Sequence, residues 1–171
     1  KGYWYYSAFI NFKTQFTGDL DSDTNGPTRF LSPGYLQIGP GILWKKSDNQ
    51  KINIAPTTTK LIIVDKSLTL PYAAYFGVEE GKNTRFELGA SLGTYYKFDL
   101  MKNVSMENTL NLYLNYLEDP QNVDLDYTMN LVMTVNKYIS TTLAYQTIYD
   151  DNAFQGFQTR QVFGLGVNYN F

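Results

Sequence analysis

The sequence predicts an all-β chain, an antiparallel up-and-down transmembrane β-barrel, on three observations. Apolar and polar residues alternate with period 2 through eight segments, giving each extended strand one apolar and one polar face. The links between segments are short and long in turn, as in a meander threaded back and forth through a membrane. Aromatic residues, 16% of the chain with fifteen tyrosines, collect near the segment ends on the apolar face.

The first expected strand runs from Tyr6 to Phe16. Tyr35 to Lys45 and Lys51 to Val64 follow, weaker because Pro40 and Pro56 remove ladder donors and predict bulges or irregular edges. Arg85 to Leu100 is the clearest: Phe86, Leu88, Ala90, Leu92, Tyr96, Phe98 and Leu100 oppose Arg85, Glu87, Gly89, Ser91, Gly93, Lys97 and Asp99. Val123 to Val135 repeats the pattern, and Tyr6 to Phe16, Ser105 to Leu117 and Ile139 to Tyr149 follow it with minor faults, Asn108 on the apolar side being one. The last strand, Gln161 to Phe171, sets Phe163, Leu165, Val167, Tyr169 and Phe171 against Gly164, Gly166, Asn168 and Asn170. Short links fall near Ser47 to Gln50, at Lys102-Asn103 and at Lys137-Tyr138; long polar ones cover Thr17 to Gly34, Asp65 to Asn83, Glu118 to Asn122 and Asp150 to Gln158.

Alternation alone leaves open which face is inside, and the aromatic girdle decides it. Trp4, Tyr6, Trp44, Tyr96 and Phe98, with Tyr169 and Phe171, lie toward the short turns. Phe16, Phe86, Tyr116, Tyr127 and Tyr149 lie toward the long loops, and Ile10, Leu88, Ala90, Leu92, Leu112, Leu131 and Val167 fall between. Two aromatic bands around an aliphatic belt are what membrane interfaces select. A small soluble barrel would have to enclose this bulky face and expose Asn, Thr and Gly. The ending Gly166-x-x-Tyr169-x-Phe171 resembles the assembly signal of outer-membrane barrels. It implies the outer membrane of a Gram-negative bacterium, long loops extracellular and C-terminus periplasmic. The implied contacts are outer-membrane lipid, lipopolysaccharide and the barrel-assembly machinery during insertion.

The 171 residues suit one domain, residues 1–171, and a net charge of -2 gives no electrostatic case for nucleic acid. Cysteine and histidine are absent, which excludes disulfides, thiolate zinc sites and a Ser-His-Asp triad within the chain. No apolar run approaches the roughly 18 residues of a spanning helix. No cofactor is expected, and the chain is expected to be non-enzymatic.

Charges on the polar face are Lys13, Arg85, Glu87, Lys97, Asp99, Glu107, Asp124 and Asp126. They are expected to pair structurally, the carboxylates with Arg85, Lys97 and Lys13, because unpaired charge in a lumen is costly. Asp19, Asp21 and Asp23 carry the alternate spacing of calcium ligands, but Thr24 and Phe30 stand where a hand-type loop wants Gly and Glu, so a solvated acidic loop is expected. Gly77 to Lys82 lacks the spacing of a phosphate loop and reads as a turn. Leu70-Pro71-Tyr72 with Tyr75-Phe76 is expected to seal the mouth rather than dock a partner.

Four stretches carry a more specific resemblance: Leu31 to Gly39, Gly77 to Ala90, Met101 to Tyr127 with its Pro120 to Asp124 segment, and Asn136 to Asp151. They look like the C-terminal part of a Bacteroidetes-type outer-membrane barrel family of unknown function. The resemblance implies further strands before Trp4. A weak internal repeat agrees, since Lys102 to Ser105 and Lys137 to Ser140 open strands after short turns and Lys1 to Ser7 looks like the same junction. A ring of about 12 strands is expected, against a natural eight-stranded barrel with a trimmed tail. Three functions stay open: a structural or accessory subunit of a larger outer-membrane complex, a passive pore or carrier for small solutes, and an enzyme whose active groups lie in other strands.

Overall fold

Each of the eight segments in which the alternation predicts a strand contains one. The computed structural model describes residues 2–14, 29–69, 71 and 74–167. Eight strands pair in sequence order into one antiparallel sheet: β1 (Trp4–Thr14), β2 (Gly34–Ser47), β3 (Gln50–Ile63), β4 (Thr84–Met101), β5 (Val104–Asn115), β6 (Val123–Thr134), β7 (Ile139–Asp150) and β8 (Phe154–Val167). The only helix among the described residues is a 3-10 turn, Lys66–Leu68. Phe16, Asp19, Asp21, Asp23, Leu70, Tyr72, Tyr169 and Phe171 lie outside the described residues.

The expected faults have local explanations. Asn108 sits on the apolar face of β5, where its side-chain oxygen accepts from the Tyr127 hydroxyl at 2.8 Å, so the polar group is satisfied within that face. Around Pro56 the ladders slip: β3 pairs Ala55 with Ser91 but Thr58 with Gly89, a bulge with one extra residue. Because side chains alternate strictly, that residue reverses which face every later residue of β3 occupies. Lys51, Asn53 and Ala55 therefore share a face with Thr58, Lys60 and Ile62. Pro40 is accommodated opposite Ala8 without a slip in the β1–β2 ladder.

Burial runs opposite to that of a water-soluble sheet. On the apolar face Tyr6 is 99% exposed, Ile10 73% and Val167 76%, with Phe86, Phe163 and Leu165 also exposed. On the polar face Glu87 is 1% exposed and Lys60 5%. The sheet is rolled about that polar face. Strands lie about 4.8 Å apart, so β3 and β7, four positions apart, would be about 19 Å apart if flat. Instead Lys60 on β3 lies 4.0 Å from Asp150 at the end of β7. Across the roll the Ser7 hydroxyl of β1 donates to Asn53 of β3 at 2.5 Å. Gly39 makes room on the inner face, since a Cβ there would meet the Phe9 ring at 2.6 Å and Thr58 at 2.7 Å.

Two expectations are corrected. The strands do not close into a barrel: the ladder order ends at β1 and β8, and no pairing joins them among the described residues. The physical reason is the curvature. An eight-stranded ring is just narrow enough for its side chains to fill, whereas these strands surround a cavity of about 820 Å³ lined from all eight. The link from Asp150 to Gln158 is also not a long loop. Asp150 pairs directly with Phe154, leaving a turn of residues 151–153, where Asp150 accepts from the backbone N–H groups of Asn152 and Ala153.

Candidate functional site

The long-loop end of the rolled sheet holds nearly all the burial in the molecule. After β3 the chain turns inward instead of outward, because Ile62, Val64, Leu68, Tyr75 and Val78 form one apolar cluster with Tyr35 and Phe76 packed against it. Asp65 caps the 3-10 turn by accepting from the Ser67 N–H at 2.9 Å. That bond, with Arg29 at 3.3 Å, holds its carboxyl below the usual range. Ser32, buried, accepts from the Asp65 N–H at 2.6 Å, and the Tyr75 hydroxyl reaches the Ser32 carbonyl at 3.4 Å. Burial pushes the Tyr75 phenol above its usual range. Tyr75 and Phe76 meet edge to face at 4.7 Å between centroids. Gly77 and Gly81 have φ of 76° and 73°, a conformation that side chains with a Cβ rarely adopt, so the segment Gly77 to Lys82 is a turn as expected. The Tyr75-Phe76 part of the expected seal is folded into the mouth.

Beneath this cap lies a continuous network of charges. The Lys60 ammonium is 3.0 Å from Asp124, 3.6 Å from Glu87 and 4.0 Å from Asp150, joining β3, β4, β6 and β7. The same ammonium lies over the rings of Tyr113 and Tyr35, at 5.0 and 5.8 Å. Arg85 continues the chain, with Nε 3.2 Å from Glu87 and Nη2 2.5 Å from Glu118. Its Nη1 donates to the Gly77 carbonyl at 3.1 Å and to Asn152 at 3.0 Å, which ties the cap and the β7–β8 turn to one guanidinium. The fork geometry of arginine suits such multiple acceptors. Gln146 donates to Asp126 at 2.9 Å and Asn122 to Asp151 at 2.8 Å. The Tyr113 hydroxyl is buried and makes no hydrogen bond among the described residues.

The sequence-predicted charges are only partly gathered here. Arg85, Glu87, Asp124 and Asp126 meet at the mouth. Lys97 and Glu107 pair with each other at 2.6 Å, directly opposite across β4 and β5 near the short turns. Asp99 is exposed there, close to the Lys102-Asn103 turn. Lys13, expected to pair, lines the cavity without an ion pair among the described residues. The girdle residues Trp4, Tyr6, Trp44, Phe86, Tyr96, Phe98, Tyr127 and Tyr149 share the outward face through the ladder registers, and Tyr116, just past the end of β5, is exposed. Gly166 lies opposite Ser140 on the inward face. Sequence reasoning missed Lys60, the centre of the network. Simple alternation from Lys51 turns it outward, and only the slip signalled by Pro56 turns it in. Asp150, expected in a loop, ends β7, while Glu118 lies in the loop expected for it.

The chemistry open to this arrangement is limited by its pairing. Carboxylate oxygens of Asp124, Asp150 and Asp151 lie within 4.8 Å of one another, a spacing that oxygen-ligated divalent ions use. Lys60, however, already supplies positive charge at 3.0 and 4.0 Å from two of them. A cation would have to displace that ammonium into a low-dielectric wall. No nucleophile stands beside a base in the network; its members hold one another in place. No family model, curated protein or solved structure matches the chain.

Proposed function

We propose that this chain forms most of an integral outer-membrane β-barrel with a non-enzymatic structural or accessory role, as a subunit of a larger outer-membrane assembly. The inverted burial carries this reading: charges inside, and Tyr6, Ile10, Phe86, Leu165 and Val167 outside. An exposed apolar belt of this extent needs an apolar surround. The open β1 and β8 edges favour completion by further strands, to a ring of about 12, because unpaired ladder groups do not persist in hydrocarbon. In this reading the capped end is extracellular and the short turns periplasmic. Lipid and lipopolysaccharide surround the belt, and the barrel-assembly machinery inserts the chain, as the resemblance of its last strand implies. The separate resemblance carried by Leu31 to Gly39, Gly77 to Ala90, Met101 to Tyr127 and Asn136 to Asp151 supports membership of the Bacteroidetes-type family of unknown function.

The cap and the network favour a scaffold over a channel, since Phe76 and the Lys60 ion pairs cross the mouth where solutes would pass. The roomy cavity beneath is the one observation that favours passage of small solutes as a second reading. An enzyme with active groups in other strands is the third. Membrane fractionation of cells producing the full-length protein tests the location: recovery in the soluble fraction would overturn it. Planar-bilayer recordings then separate scaffold from pore, because stable, reproducible conductance would sink the scaffold reading. Purification in mild detergent is expected to retain a stoichiometric partner.

A further inference from the structure

The cavity under the cap has walls of two kinds. Phe9, Tyr35, Phe76, Tyr113 and Phe154 supply aromatic surface. Asn11, Gln37, Asn111 and Gln158 line it with amides that have no side-chain hydrogen bond among the described residues. The buried Tyr113 hydroxyl, beside the Glu87 carboxylate, makes no close hydrogen bond among the described residues, a cost that a bound polar group would reduce. The carboxylates on the wall are already engaged: Asp124 and Asp150 face Lys60, and Asp126 accepts from Gln146. Of the charges on the wall only the Lys13 ammonium has no ion pair among the described residues, and the other free groups are neutral donors and acceptors beside flat rings. The volume, about 820 Å³, falls in the range of small-molecule sites, about 300–1,000 Å³.

We infer that the cavity binds a neutral polyhydroxylated solute of mono- or disaccharide size. Ring hydroxyls would be held by the Asn11, Gln37, Asn111 and Gln158 amides and the Tyr113 hydroxyl, and the apolar faces of the sugar would stack on the aromatic wall. A cationic analogue would meet the unpaired Lys13 ammonium, and a charged analogue of either sign would lose its hydration on entry. The site does not depend on where the protein resides.

Gly93 gives a direct test, because it lines the cavity and a Cβ there meets only Asn111 Oδ1, at 3.4 Å. Gly93→Leu would thus project into open space. Calorimetric titration of the full-length protein, held in a detergent without a sugar headgroup, is expected to show saturable binding of glucose or sucrose. Both Gly93→Leu and Asn111→Leu are expected to weaken it by about tenfold or more, as lost pocket contacts do. Glucosamine and gluconate are expected to bind no better than glucose. Absence of saturable binding to either neutral sugar, affinity unchanged in both variants, or tightest binding of a charged analogue would each overturn the inference.

Discussion

The two ends of the rolled sheet hold charge in opposite ways. At the capped end the buried Lys60 and the half-buried Arg85 are shared among four strands and a turn. At the other end Lys97–Glu107 and Lys45–Asp48 are separate, solvent-touched pairs formed within a hairpin or a turn. An isolated exposed pair trades hydration for little gain and ties together only neighbours already joined by the ladder. A buried, shared one connects strands that have no ladder in common. The difference teaches that curvature is fixed at one end, while the other is held mainly by the backbone.

Four experiments break or sharpen that contrast. Lys60→Met, which leaves Glu87, Asp124 and Asp150 facing one another, is expected to cost about 3–5 kcal/mol, measured by urea unfolding of the micelle-held protein. A loss below 1 kcal/mol would erase the distinction between the ends. Ile62→Ala, in the apolar cluster that seats the cap, is expected to cost about 2–5 kcal/mol by the same measurement and to open the 64–83 segment to protease. Lys97→Met is expected to cost under about 1 kcal/mol, and a larger loss would show that the turn end is also electrostatically built. The smallest effect concerns acid. Asp65 is held below its ordinary 3.8 by the Ser67 N–H, so its contribution to the cap is complete above that pH and is lost as pH falls through the lower folded value. The Ser67 amide resonance should titrate with a midpoint below 3.8; a midpoint at or above it would mean that the cap bond is not formed in solution.

The strands were legible because alternation is a local property, strong enough to survive single faults such as Val132 on the polar face of β6 and Ile148 on that of β7. Where it failed, the cause was non-local. The bulge beside Pro56 changes the face of Lys60, but its direction depends on how β4 pairs with β3 on either side of the slip. The link after Asp150 reads as a polar loop, yet Phe154 and Gln158 belong to a strand because β7 offers partners for them. The pairing of Lys97 with Glu107 follows from adjacent strands and was within reach of the sequence. That of Lys60 with Asp124, 64 residues away, follows from how tightly the sheet rolls, which no local pattern encodes. The inward packing of Tyr75 and Phe76 was visible only as part of a run of aromatics with proline.

The ion pairs of Lys60 also act as a chord drawn across an arc. A chord of fixed length sets the radius of the strands it subtends. While Lys60 holds Asp124 and Asp150, β3 to β7 keep their bend, independently of what borders the edges at β1 and β8.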